Sequence, residues 1–241
     1  MQKPLAALAL AAAAATLAGC PNPNLYSTPR TVAPGSFAHT IALEALGYEG
    51  DIPIPDDPKT PQNETAVEHH RAGSPLPPSY QLRLGLLSDI DAGIQIRNLS
   101  SPGVDFKWNP LRGFFDLALD PGIQYMLIGN TNTTGESVTA HVFYFHAPVL
   151  LGINPTSWLS IVAVPGFSYG LDLGELAGDN LASTVRGPLF RGSLGMQFRI
   201  WENFAVHPEA SVLKRLDGPG FAITGGVGFN FGSIPGFDDR K

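Results

Sequence analysis

From Ser36 to Phe231 apolar side chains recur at every second position in stretches of about ten residues, the period at which strand side chains share a face. No segment with the three-to-four spacing of an amphipathic helix competes with it. Leu189 to Ile200 is the clearest case: Phe190, Leu194, Met196, Phe198 and Ile200 fall on one face, and Arg191, Ser193, Gln197 and Arg199 on the other. Tyr80, Leu82, Leu84 and Leu86 alternate with Gln81 and Arg83, and Val104, Phe106 and Trp108 with Asp105, Lys107 and Asn109. Further stretches at 37–47, 92–98, 114–128, 138–153, 159–170, 205–216 and 221–231 bring the count to ten. With 27 Gly and 22 Pro in 241 residues the chain also carries too many breakers for a helical bundle.

Four connections are short, at Ser88 to Asp91, Asn109 to Gly113, Asn154 to Trp158 and Trp201 to Phe204. Between them lie links placed as the longer ones: Tyr48 to Pro78, Leu99 to Pro102, Gly129 to Ser137, Leu171 to Pro188 and Asp217 to Gly220. Such alternation puts all short turns at one end, as in an all-β, antiparallel up-and-down transmembrane β-barrel with an even strand number. Ten strands are expected. Eight is the alternative, because Pro121, Pro148, Pro165 and Pro208 fall inside proposed strands, where a ladder donor is lost.

Period alone does not say which face meets which solvent. In a soluble, tethered lipid-binding barrel the apolar face, with Phe190, Phe198 and Phe229, would point inward. In a membrane barrel it points out. Only 15% of the residues are charged, too few to coat a water-exposed barrel of this size. The membrane order is therefore expected, with Arg83, Arg97, Arg191 and Arg199 lining the lumen against Asp105, Asp116 and Glu209. Lys107, Arg215, Glu44 and Asp120 join the same mixed polar face.

The N-terminus reads as an export signal: a short positive start at Lys3, then an apolar run from Leu5 to Leu17 too short to span a bilayer as a helix. Leu17-Ala18-Gly19-Cys20 resembles the lipobox of bacterial lipoproteins, and the resemblance implies palmitate-bearing lipid on Cys20 and handling by the lipoprotein-export machinery. Cys20 is the sole cysteine, which excludes an intramolecular disulfide and a Cys-based zinc cluster. The expected organisation is a signal over 1–19, a proline-rich lipidated tether over 20–35, a barrel over 36–231 and a tail over 232–241.

Thr224-Gly225-Gly226-Val227-Gly228-Phe229-Asn230-Phe231 is similar to the terminal signal of bacterial outer-membrane β-barrel proteins, with Thr224, Gly226, Phe229 and Phe231 at the matching positions. The resemblance implies insertion into outer-membrane lipid by the barrel-assembly machinery. The match departs from the family in that residues 232–241 follow.

No constellation points to turnover. His207, Glu209 and Ser211 share one strand face, but His207 and Ser211 stand roughly 13 Å apart along it, beyond the reach of a base and its nucleophile. The outer-membrane phospholipases and lipid A deacylases, similar in architecture, place His and Ser two residues apart, and no such pair occurs here. Asp89 and Asp91 resemble the paired aspartates of omptin proteases but are expected in a short turn. Glu68-His69-His70 is expected in a solvated loop, and His141 and His146 on opposite faces of a strand. Gly225-Gly226-Val227-Gly228 precedes no helix and binds no nucleotide; its glycines are expected to give room inside a narrow barrel. No cofactor or metal is expected. A net charge of -6 argues against nucleic acid. The expected role is structural, adhesive or that of a narrow passive pore; an envelope-lipid hydrolase is the rival.

Overall fold

A period-two pattern becomes a closed wall only if the last strand finds the first, and here it does. The computed structural model describes residues 22–54, 66–131, 137–173, 187–218 and 221–235. Eleven strands follow in chain order: β1 (Phe37–Ile54), β2 (Ala66–Leu87), β3 (Ile90–Arg97), β4 (Ser101–Leu111), β5 (Phe115–Leu119), β6 (Gly122–Thr131), β7 (Ser137–Thr156), β8 (Leu159–Leu173), β9 (Gly187–Trp201), β10 (Phe204–Arg215) and β11 (Phe221–Gly232). Apart from β5 and β6, each pairs antiparallel with its neighbours in chain order, and β11 pairs with β1 from Ala38↔Gly232 to Glu49↔Phe221. β5 and β6 both lie between β4 and β7 and are two halves of one stave. The result is a closed ten-stave barrel, and the eight-strand alternative falls.

The break between β5 and β6 sits at Pro121, as a missing donor requires. Asp120 N donates to Pro148 O at 3.1 Å, and Phe106 N to Pro121 O at 2.9 Å, so the interruption keeps its backbone partly paired. The other prolines keep a ladder partner on one side only. Pro165 is opposite Gly192 of β9 but has none on β7, and Pro208 is opposite Val227 of β11 but has none on β9. The register is unchanged across these gaps.

Exposure settles the direction of the faces. Phe190, Leu194, Met196, Ile200, Val104, Phe106 and Trp108 are exposed, whereas Arg191, Ser193, Gln197, Arg83, Asp105, Lys107 and Asn109 are buried. The tethered soluble carrier would bury Phe190, which is 43% exposed, so that alternative falls. Along β7 the outward residues from Phe143 to Ile153 are all apolar. They cover about 33 Å of strand, which a tilt of about 40° brings to roughly 25 Å, the height of a lipid-facing band. Aromatics mark its edge at the short-turn end, where Phe114 packs edge-on to Phe115 and Phe204 bridges Trp201 and Phe231. Near the other end Tyr125 Oη and His141 Nδ1 are 2.7 Å apart on the outer surface.

Three boundaries differ from the sequence reading. The β1–β2 ladder continues to Ile54↔Ala66, so most of the expected link Tyr48 to Pro78 is strand, and Glu68, His69 and His70 lie in β2 and not in a loop. Pairing across a hairpin needs only backbone groups, which the sequence's loss of alternation does not reveal. The link expected from Leu99 to Pro102 is only Asn98 to Ser100, with Asn98 and Leu99 at positive φ. Asp91 belongs to β3 and not to the turn. Residues 55–65, 132–136, 174–186 and 219–220, within the other expected loops, lie outside the described residues, as do Cys20 and the export signal.

Candidate functional site in the barrel lumen

A ten-stave wall whose inward residues are mostly short or polar leaves a space along its axis, and the chain fills it with its own N-terminal segment. Residues 22–32, read from the sequence as part of a tether, are all buried inside the barrel. The physical reason is visible in their partners. An extended segment has backbone groups that no sheet satisfies, and inward carboxylates and amides satisfy them. The Glu209 carboxylate accepts from Leu25 N at 3.0 Å and Tyr26 N at 2.6 Å. Asp91 accepts from Val32 N at 2.9 Å, and Asn230 Nδ2 donates to Tyr26 O at 3.2 Å. Arg191 donates to Pro23 O, and Ser211 Oγ to Asn24 Oδ1.

Side chains of the segment are matched as closely. Arg30 Nε lies 2.6 Å from Asp116 Oδ2, both buried, and Asp116 is itself held by Asn154 Nδ2 at 2.7 Å and Gly113 N at 2.7 Å. Lys107 Nζ donates to Ser27 Oγ at 2.9 Å and Thr28 O at 3.1 Å. Leu25 packs with Ala118, Leu150, Val162 and Val164. Glu44 takes Ser79 Oγ at 2.6 Å and Asn24 Nδ2 at 3.4 Å.

Beside the segment the wall holds a charge cluster. Arg83 lies 2.6 Å from Asp91, 2.6 Å from Asp105 and 3.1 Å from Asp120, and Lys107 is 3.5 Å from Asp91. Buried charges persist only when paired in this way. Of the lumen residues named from the sequence, Arg83 and Asp105 meet in this cluster, and Asp116, Arg191 and Glu209 grip the segment. Arg97 is buried and donates from Nε to Gln95 Oε1 at 2.8 Å. Arg199 stands apart at the turn end, half-buried, with Nη2 3.5 Å from Glu202 O. Arg215 is placed at the opposite end, paired with Asp217 at 2.6 Å.

The glycines of β11 have a partner the sequence did not name. A Cβ at Gly228 would lie 2.6 Å from Tyr26 Cβ and 2.7 Å from its Cγ, and one at Gly226 would strike the Tyr26 hydroxyl. The space expected inside the barrel is the seat of Tyr26. Thr224 is buried on the same face, and Phe229 and the exposed Phe231 share the other face of β11. Sequence reasoning missed Asn24, Leu25, Tyr26, Arg30 and Val32. The available signal was two glycines and several acids on one lumen face with no bulky neighbour to meet them.

His207, Glu209 and Ser211 all point inward. His207 Nε2 is 3.7 Å from Glu209 Oε2, while Ser211 Oγ is engaged by Asn24. The same inward face carries His146, and His141 lies outward, as expected.

Toward the loop end the lumen lining turns apolar. Met126, Val142, Tyr144, Leu189 and Leu213 pack into one cluster; Ala222 lies against it and also against the Leu46–Leu76 pair. This collar runs from β2 through β1, β11, β10 and β9 to β7 and β6, and it contains no residue of the N-terminal segment.

No protein-family model and no curated protein matches the chain. Among solved structures it is similar to the Yersinia pestis attachment invasion locus protein Ail in complex with the heparin analogue sucrose octasulfate, at 9% identity and a TM-score of 0.37, over 81% of this chain and 99% of that one. It is also similar to the NanC porin, at 10% identity and 0.39, over 80% and 98%. The translocator domain of autotransporter NalP from Neisseria meningitidis gives 13% identity and 0.43, over 80% and 88%. At these scores the likeness is loose and says nothing of what this chain binds.

Proposed function

We propose that the chain is an outer-membrane barrel with a structural and adhesive role, closed to free passage. The apolar collar carries this reading. Met126, Leu189 and Leu213 are buried side chains from three staves, and they pack in a cluster that contains no residue of 22–32, which supports a loop end that stays closed when that segment is out. The outward apolar band supports insertion into a membrane, and the short turns Ser88–Asp89, Ser157–Trp158 and Glu202–Asn203 then face the periplasm. The adhesive part rests on the β1–β2 ladder, which continues from Gly50↔His70 to Ile54↔Ala66 beyond the last β1–β11 pair. That ribbon stands past the rim on the outer side. Insertion by the barrel-assembly machinery through β11 belongs to the same reading.

Lipidation of Cys20 after passage through the lipoprotein-export machinery is the finer part of the proposal, and geometry sets its condition. Two residues span at most about 7 Å, and Asn22 is buried in the lumen. A lipid on Cys20 seated in the inner leaflet therefore draws residues 22–32 out of the barrel. The anchored chain and the filled lumen are two states of one segment.

Planar-bilayer recording tests the closed reading. Purified wild type and a deletion of residues 22–32 should both leave a bilayer without steady conductance. Steady ohmic current through wild type would instead make the chain a narrow passive pore.

A further inference from the structure

The outer wall is not uniformly convex. Across β8 to β11 it holds an open groove of about 490 Å³, floored by Gly192 and Ala210 and walled by Phe190, Leu194, Val212 and Ile223. The register explains it: Gly192 lies opposite Val212, Leu194 opposite Ala210 and Val212 opposite Ile223, so small residues occupy the centre of a frame of large ones. A Cβ at Gly192 would lie 3.3 Å from the Phe190 ring and 3.8 Å from Val212 Cγ1, so any side chain there would begin to fill the groove.

At its loop end the groove leads to a cation. Lys214 follows Val212 by two residues on the same outward face of β10, exposed, with Phe190 beside it on β9 and Phe221 on β11. Its ammonium is 3.3 Å from Gly218 O, where β10 gives way to the loop. A lysine at that level lays its stem on apolar surface and its charge among head groups.

We infer that this groove seats an acyl chain of an anionic, phosphate-bearing lipid of the outer leaflet, with the lipid's phosphate held at Lys214. The inference rests on the barrel spanning a membrane. A band facing lipid meets no water, so a hollow in it is filled by the hydrocarbon at hand. The cation at its mouth selects the molecule whose head is negative.

Native mass spectrometry of the full barrel tests it, with phosphatidylglycerol and phosphatidylcholine supplied in equal amounts in mild detergent. Wild type should retain one phosphatidylglycerol in preference to phosphatidylcholine. Lys214→Gln should reduce that preference about fivefold, the worth of one lysine near an anionic head group. Gly192→Leu, or Ala210→Leu where the first does not fold, should lose the retained lipid of either kind. Free inorganic phosphate should not displace it. Folding is read separately from the gel mobility of unheated against heated samples. A folded Gly192→Leu and a folded Ala210→Leu that hold lipid as wild type does would overturn the site. A wild-type dimer abolished by either substitution would give the groove to a second copy instead. Failure of the folded chain to need detergent at all would overturn the membrane reading, not the groove alone.

Discussion

The carboxylate of Glu209 on β10 accepts a hydrogen bond from the backbone N–H of Tyr26 at 2.6 Å, joining residues 183 positions apart in the chain. The same carboxylate takes Leu25 N at 3.0 Å. Two consecutive N–H groups, one on each oxygen of a single carboxyl group, hold the extended strand without any ladder.

Glu209→Gln should therefore loosen the segment without opening the wall. The amide leaves one acceptor for two donors and turns its own NH2 toward a backbone N–H. A loss of about 2 kcal/mol is expected, or about 30-fold in the population with the segment released. Maleimide reaction at Ser27→Cys, in a Cys20→Ala background, measures it; an unchanged rate would mean that Glu209 does not hold the segment.

The seat of Tyr26 makes a second prediction. Gly228→Leu places side-chain atoms where Tyr26 Cβ and Cγ lie and should expel the residue while leaving the β11 ladder paired. Tyr26→Ala should relieve the clash, so the double variant melts above Gly228→Leu alone. Equal melting of the two would show that Gly228 is not matched to Tyr26.

The wall was legible in the sequence because burial on one face forces alternation, and Phe190 to Ile200 can be read for direction once charge is too scarce for a wet surface. Pro121 marked the one broken stave for the same physical reason that it cannot donate. Residues 22–32 were not legible: their hold depends on Glu209, Asp116 and Asp91, brought near only when the barrel closes, and on backbone groups that leave no trace in side-chain pattern. The continuation of β1 and β2 past the rim was hidden likewise, since β2 first crosses a register shift at Pro77 and Pro78 and the ribbon itself pairs Pro53 with Val67, residues that read as loop.

Leu194 and Ser193 are adjacent on β9, 68% and 7% exposed. If the outer face meets lipid, Leu194→Arg should lower stability in vesicles by about 2 to 4 kcal/mol, the cost of an arginine near mid-bilayer. Equilibrium unfolding in guanidinium checks it. The same loss for Leu194→Arg in detergent-free water-soluble refolding would point to a core position, and no loss in vesicles would place Leu194 outside the bilayer.

Orientation follows from the turns. In a Cys20→Ala background, single cysteines at Leu99 and Asp217 stand at the loop end, and those at Ser157 and Glu202 in the short turns; all four positions are exposed. An impermeant maleimide on intact cells should label the first pair and spare the second until the cells are lysed. The reverse pattern would invert the barrel, and labelling of one member of the first pair alone would break the even strand count between them.

Anchoring and filling compete for the same residues, and one experiment separates them. Radioactive palmitate should label the wild-type chain and not Cys20→Ala, since Cys20 is the sole cysteine. Ser27→Cys then reports on the lumen: Ser27 is 8% exposed and bonded to Lys107, so its thiol is shielded whenever the segment is inside. With Cys20 present and acylated, Ser27→Cys should react with maleimide on purified barrels; with Cys20→Ala it should be protected. Protection in both would mean that the segment stays in the lumen of an acylated chain, leaving too little chain for an inner-leaflet anchor. Absence of palmitate from wild type would remove the anchor and leave the filled barrel as the single state.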